Sequence, residues 1–228
     1  MRRATASVSQ EDYLKAIWEI VQEEQVPIAA RLAEDLGVTP PAVTSALKRM
    51  TRLGFLHVRR DGRIELTPKG ERSAEHLVLR HRLTEKLLTD VIGLEWSLAH
   101  EEAERLEHGM SPEVVELLVQ RFGREGRCPH GVPLVGGMSQ LRKKFGALRL
   151  SDADPKGSYE VLRVYERDPQ FLVFLSGLRL KPGARFRIHD KKYDETLSVS
   201  VLAGRRAASP IHLGKPATSR IWVRPVSG

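Results

Sequence analysis

From Gln10 to Val26 the apolar residues Tyr13, Leu14, Ile17, Ile20 and Val21 recur three and four positions apart, the spacing of one face of a helix, and Pro27 is its stop. A short helix follows in IAARLAEDLG, where Ile28, Leu32 and Leu36 share a face and Gly37 ends the run. In TPPAVTSALKRMTRLG, Thr39 is the N-cap and the two prolines occupy the first turn, where a missing N–H costs least. Val43, Ala46, Leu47, Met50 and Leu53 make its buried stripe, with Gly54 as C-cap. FLHVRRDGRIELT then reads as two β-runs joined at Asp61-Gly62, a hairpin signal. Helix, helix, turn, helix, hairpin is the order of a winged helix-turn-helix.

Beyond Pro68 the spacing predicts one long helix to about Ile92, with Leu77, Leu79, Leu83, Leu87, Leu88 and Val91 as its spine. A further helix is expected over Ser97 to Met110, burying Ala99, Ala103, Leu106 and Met110. The stretch GREGRCPHGVPLVGG, 123–137, is too dense in glycine and proline for a helix or strand interior and reads as a turn-rich connector. After a weaker break at 151–158 the chain alternates like β-structure. The class expected is mainly α with small β parts. The organisation expected is a winged helix-turn-helix over 1–70, a helical domain over 71–137, a linker over 138–154 and a small β domain over 155–228.

Charge sharpens this division. The 228 residues hold 37 Lys and Arg against 29 Asp and Glu, a net +8 with pI ≈ 9.8. That balance favours a polyanionic partner, nucleic acid first. Residues 1–70 carry 11 basic and 9 acidic groups, 71–137 carry 8 and 12, and 138–228 carry 18 and 8, so the middle piece is the acidic one. A single cysteine, Cys128, excludes an intrachain disulfide and a cysteine-only zinc site, and suits a reducing compartment. No run approaches the roughly 18 apolar residues of a membrane span, and MRRATASVSQ has no apolar stretch behind its arginines, so a soluble cytoplasmic protein is expected.

The second helix of a helix-turn-helix fits the major groove. On it the outward positions are Thr39, Pro41, Ala42, Thr44, Ser45 and Lys48, small or hydrogen-bonding groups that let the backbone approach base edges. Arg31, Arg49, Arg52, Arg59, Arg60 and Arg63 suit phosphates, which position a protein without reading sequence.

The acidic middle piece carries a metal-ligand pattern. His81 and Glu85 are four apart, hence on one helical face. In LAHEEAERLEHGM, His100, Glu104, Glu107 and His108 fall within roughly 100° of arc beside the apolar face. Carboxylates crowded there repel unless a cation joins them. Asp12 on the first helix is a further donor. Imidazole and carboxylate without soft ligands suit manganese(II), iron(II), zinc or cobalt, and tilt toward the harder ions. Cys128 and His130, in a Gly/Pro turn, are read as structural. A hydrolytic enzyme would want a nucleophile motif or phosphate-cradling loop that the chain lacks. A metal-independent winged-helix regulator would leave the acidic helix unexplained.

The strings EDYLKAIWEI (11–20), TPPAVTSALKRMTRLGFL (39–56), RHRLTEKLLTDVIGL (80–94), HEEAERLEHGMS (100–111) and CPHGVP (128–133) resemble the diphtheria toxin repressor family of metal-dependent transcriptional repressors, especially its manganese-regulator branch. The resemblance implies a DNA-binding winged helix, a helical metal and dimerisation domain, and a C-terminal FeoA-like, SH3-like small barrel. It places a primary metal site on Asp12, Glu104, Glu107 and His108, and an ancillary one on His81, Glu85 and His100 with barrel donors near Glu166 and Gln170, Asp168 being the rival. Carboxylates at Asp12 and Glu104 match the manganese branch, so manganese(II) is the expected ion and iron(II) the next. Lys15 departs from that branch, where a second first-helix carboxylate stands, and argues against a closely spaced binuclear site. The resemblance further implies a homodimer on a two-fold inverted repeat of double-stranded DNA, repressing metal-uptake genes, with the metal bridging the DNA-binding and dimerisation domains.

Overall fold

The computed structural model describes residues 10–203, 206–207 and 209–226. The N-terminal segment 1–9 and Arg205 lie outside them. The chain divides into two compact units, 1–80 with 135–138, and 81–134 with 139–228.

The first unit is built from α1 (Gln10–Gln22), α2 (Ala29–Leu36), α3 (Pro40–Arg52), β1 (Leu56–Val58), β2 (Ile64–Leu66) and the start of α4 (Pro68–Lys86). Its core gathers the apolar stripes of all three short helices, including Leu14, Ile17, Leu32, Val43, Met50, Leu56 and Ile64. Val21, expected in that stripe, is exposed. α1 stops before Pro27 is reached, because Glu24 turns left-handed at φ +61° and the N–H of Gln25 and of Glu24 reach back to the carbonyls of Ile20 and Val21. α2 and α3 end in the same motif around Gly37 and Gly54, where left-handed backbone is cheap. Thr39 occupies the N-cap position of α3 without a side-chain capping bond. β1 and β2 pair antiparallel, Leu56 opposite Leu66 and Val58 opposite Ile64. Their turn puts Gly62 at φ +82° and lets Asp61 Oδ1 accept from the N–H of Arg63 at 3.1 Å. Together these elements form the expected winged helix-turn-helix.

In the second unit α4 gives way to a π-helical turn, Leu87–Val91. The helical run expected to about Ile92 is therefore present but ends in a π-wound turn, and Val91 and Ile92 are exposed. The expected 97–110 helix is likewise three pieces: a 3-10 turn Trp96–Leu98, α5 (Ala99–Leu106) and a 3-10 turn Glu107–Gly109. This winding exposes Leu106 while burying Glu107. α6 (Pro112–Phe122) is capped by Ser111, α7 (Met138–Phe145) precedes the sheet, and a 3-10 turn covers Leu150–Asp152.

The sheet contains β3 (Leu148–Arg149), β4 (Ser158–Val164), β5 (Arg185–Lys191), β6 (Leu197–Ala203), β7 (Arg206–Ala207), β8 (Ile211–Leu213) and β9 (Ile221–Pro225). Its antiparallel order is β3-β9-β4-β5-β6-β7, with β8 also on β6. Among the described residues this is an open path of SH3-like small-barrel type, with register shifts at Val161/Arg163 and Ile188/Asp190. α8 (Pro169–Gly177) and the short α9 (Lys215–Thr218) complete the unit. Phe171, Leu172 and Leu175 of α8 join Val161, Phe186, Val199 and Val223 in one core.

The 123–137 segment is more than a connector. Cys128, His130, Val132 and Leu134 are buried. The turn is tied by Cys128 N–H to the Val132 carbonyl (2.8 Å) and Gly131 N–H to the Cys128 carbonyl (2.9 Å), and Val164 N–H of β4 donates to the His130 carbonyl (3.0 Å). A Cβ on Gly131 would stand 1.9 Å from the Leu162 carbonyl oxygen, so only glycine lets the turn lie this close to β4. β4 is accordingly buried on both faces along most of its length.

Candidate metal centre and nucleic-acid interface

In the second unit, α4 presents His81 and Glu85 one turn apart, both buried. α5 brings buried His100 and half-buried Glu104, and the following 3-10 turn brings buried Glu107 and exposed His108. His81 Nδ1 lies 2.5 Å from Glu107 Oε2 and 3.8 Å from Glu104 Oε1, and its Nε2 lies 3.0 Å from Glu85 Oε1 and 3.0 Å from His100 Nδ1. His100 Nδ1 is 3.2 Å from Glu85 Oε1 and its Nε2 3.7 Å from Glu104 Oε1. His108 Nε2 is 3.8 Å from Glu107 Oε1. His81, His100 and Glu104 offer three donor atoms within 4.8 Å of one another.

A third imidazole, missed as a donor in the sequence, joins them. His130 Nδ1 stands 3.1 Å from Glu85 Oε1, so nitrogens of His81, His100 and His130 all converge on one carboxylate oxygen. The other oxygen, Glu85 Oε2, is buried with no hydrogen-bond partner. Burial alone would raise the Glu85 pKa, but the charges of His130 and His81 and hydrogen bonds from His100 and His130 hold it well below the usual carboxylate range. The residues fit a divalent cation: imidazole and carboxylate donors converge beside an orphaned buried oxygen.

Of the residues assigned to the barrel side, Glu166 is buried with its Oε2 unpartnered, and its charge acts on Cys128 and His130. Gln170 is exposed on the first turn of α8. Asp168 is engaged otherwise: it caps α8 by accepting from Phe171 N–H at 3.0 Å and pairs with Arg220 at 2.7 Å. Asp12 is half-buried on α1, and Lys15 is buried. The signal for Cys128 and His130 was the C-P-H-G string itself; only burial beside Glu85, more than forty positions earlier, gives it chemical meaning.

In the first unit α3 turns Val43, Ala46, Leu47 and Met50 inward and leaves Pro41, Ala42, Thr44, Ser45, Lys48, Arg49 and Arg52 exposed, with Thr39 exposed at its N-cap. Thr44 Oγ1 donates to the Pro40 carbonyl at 3.0 Å. Arg60 is exposed at the hairpin tip, whereas Arg59 is held by Glu65 at 2.6 Å and Arg63 by Asp61 at 3.1 Å. Half-buried Arg31 donates to the Val26 carbonyl at 2.7 Å.

Residues 6–63 match the family model described as the iron dependent repressor N-terminal DNA binding domain, and residues 67–135 the one described as the iron dependent repressor metal binding and dimerisation domain. The diphtheria toxin repressor of Corynebacterium efficiens is 42% identical over 158 residues, covering 68% of this chain and 67% of that protein. The chain belongs to the diphtheria toxin repressor family. The iron-dependent repressor IdeR of Mycobacterium tuberculosis is 42% identical over 126 residues, 55% of each chain, so that match spans about half of either protein. A manganese-dependent transcriptional repressor solved in complex with manganese is similar at 28% identity over 96% of this chain and 100% of that one, with TM-score 0.82. The IdeR of T. acidophilum gives 29% identity, 97% and 100% coverage and TM-score 0.73. The family is one of metal-dependent, DNA-binding transcriptional repressors, not enzymes. Among the described residues no helix is long and apolar enough to cross a membrane.

Proposed function

We propose that this family member is a cytoplasmic homodimer that represses metal-uptake genes when manganese(II), or secondarily iron(II), is bound. The observation that carries the reading is the convergence of His81, His100 and His130 nitrogens on Glu85 Oε1, with Glu104 and Glu107 alongside. Such a cluster is stable as a cation site and costly as a bare one.

The donors fall into two sets by family resemblance. Asp12, Glu104, Glu107 and His108 form one, rich in carboxylate and free of sulfur, which supports manganese(II). His81, Glu85 and His100 form the other, and burial with an orphan oxygen supports Glu166 as their barrel donor ahead of Gln170 or Asp168. Buried Lys15 supports a mononuclear first set. Asp12 is carried by the helix that opens the DNA-binding domain, so ligation by Asp12 together with Glu104, Glu107 and His108 couples metal occupancy to the placement of α3. The ion supplies charge neutralisation and a fixed link; the protein supplies the donors and the reading head. Two α3 helices in a symmetric dimer call for an inverted-repeat operator. Lys48, Arg49, Arg52 and Arg60 contact phosphate in this reading, while Thr39, Pro41, Ala42, Thr44 and Ser45 face base edges and Arg31 supports the backbone approach.

Asp12→Ala tests the coupling. Operator binding with manganese(II) should fall to the apo level while the circular dichroism and melting of the variant stay those of the parent. Unchanged metal-activated binding would remove Asp12 from the switch.

A further inference from the structure

A cavity of about 620 Å³ opens in the first unit between α3, the start of α2 and the hairpin. Its walls are apolar: Ala29 of α2, Leu47 of α3 and Val58 of β1. Thr44 and Thr51 complete the α3 side, but their hydroxyls already donate to the carbonyls of Pro40 (3.0 Å) and Leu47 (2.9 Å), so neither offers the cavity a free donor. The polar groups left are two cations, Lys48 and Arg52, one turn apart on the same helix and both exposed. Among the described residues no carboxylate lines the cavity, and two acids of the hairpin are occupied, Glu65 by Arg59 at 2.6 Å and Asp61 by Arg63 at 3.1 Å. Ala29, the first residue of α2, stands at the wall with no side-chain cap before it, which adds the positive end of that helix. A hollow of this size, apolar inside and cationic at its rim, has the build of a small-molecule site.

We propose that this cavity binds an organic anion with an aromatic body of two or three rings, and that its occupant excludes operator DNA. The apolar walls take the ring system out of water, and the anionic group stays at the rim with Lys48 and Arg52. A bare phosphate would leave the walls wet, and a neutral ring system would leave both cations unanswered. The competition rests on the reading of α3 as the DNA-contacting helix: Thr44 and Lys48 serve a base edge and a phosphate in that reading and line the cavity as well, so the two occupants exclude one another reciprocally. The lining residues are separate from the metal donors, so the anion lowers operator occupancy without displacing the ion.

The test uses the full chain and a matched pair of fluorescent probes, anilinonaphthalene sulfonate and neutral phenylnaphthylamine, which share the ring body and differ by the sulfonate. The sulfonate probe should bind saturably, with blue-shifted and enhanced emission, and about fivefold or more tighter than the neutral one. Ala29→Met, which fills the cavity from α2, and Val58→Glu, which sets a carboxylate in its wall from β1, should each weaken the sulfonate probe by about tenfold or more with melting curves intact. Two variants on different elements keep the outcome readable if one fails to fold. An operator duplex bound in manganese(II) should displace the probe, and the probe should raise the apparent operator Kd in proportion to its own occupancy. Probe binding untouched by both variants, or equal binding of the neutral partner, would overturn the site; operator bound without displacing the probe would overturn the competition. The probe titrations need no DNA, and manganese-dependent operator binding measured without probe keeps failure of the repressor reading separate.

Discussion

Replacing Gly131 with alanine perturbs the turn that seats Cys128 and His130 against Glu85. The new Cβ would stand 1.9 Å from the Leu162 carbonyl oxygen and 2.8 Å from the Arg163 Cα, both backbone atoms of a central strand, so the turn must move. The backbone at φ +87° costs an L-residue about 1–2 kcal/mol. Withdrawal from β4 breaks the Val164 to His130 hydrogen bond, about 1 kcal/mol. The expected loss is at least about 2–3 kcal/mol. Gly126, at φ +110° with open space where a Cβ would go, separates strain from collision, and its alanine variant should lose only about 1–2 kcal/mol. Urea unfolding of both variants, with slopes compared to exclude altered compactness, reads the difference directly. A Gly131→Ala loss below about 1 kcal/mol, or one equal to that of Gly126→Ala, would refute the close approach and the preorganised turn built on it.

Lys48→Ala should weaken operator binding across sequences and lower the salt slope by about 1, checked by anisotropy at several ionic strengths. Arg60→Ala should cost more affinity than Arg59→Ala, because Arg59 is already engaged by Glu65; the reverse order would reassign the wing contact. Asp168→Ala should destabilise the second unit by about 1 kcal/mol at neutral pH through loss of the α8 cap. The N–H of Phe171 holds the Asp168 carboxyl below its usual range, with Arg220 adding to this against a burial effect that raises it. Its contribution is therefore full above the ordinary carboxylate pKa and fades as pH falls through the lowered folded value. Melting curves of parent and variant should converge in acid, and a gap that widened instead would contradict that role.

The DNA-binding unit was legible because its elements are written locally: period-3.6 stripes bounded by Pro40, Pro41, Gly37 and Gly54, and a hairpin marked by Asp61-Gly62. Exceptions such as Val21 and the early stop of α1 arise because a left-handed Glu24 leaves no strong sequence mark. In the second unit the donor types were legible but their directions were not. Periodicity assumes constant winding, and the change from α to 3-10 at Glu107 turns that side chain inward and Leu106 outward. Glycine and proline normally mark exposed turns, so the string around Cys128 and His130 reads as a connector. What buries them is tertiary: a Cβ-free approach of Gly131 to β4, and a carboxylate on α4 far away in sequence. Such juxtapositions leave no periodic trace.

Metal control of DNA binding is read most directly by fluorescence anisotropy of an inverted-repeat fragment, with chelated protein and with manganese(II) and iron(II) series at fixed salt. Metal should tighten binding tenfold or more, a coupling of about 1.4 kcal/mol, with manganese(II) effective at the lower free concentration. Equal affinity in chelator and in metal would contradict it, leaving a DNA-binding protein whose His/Glu cluster only holds the fold together.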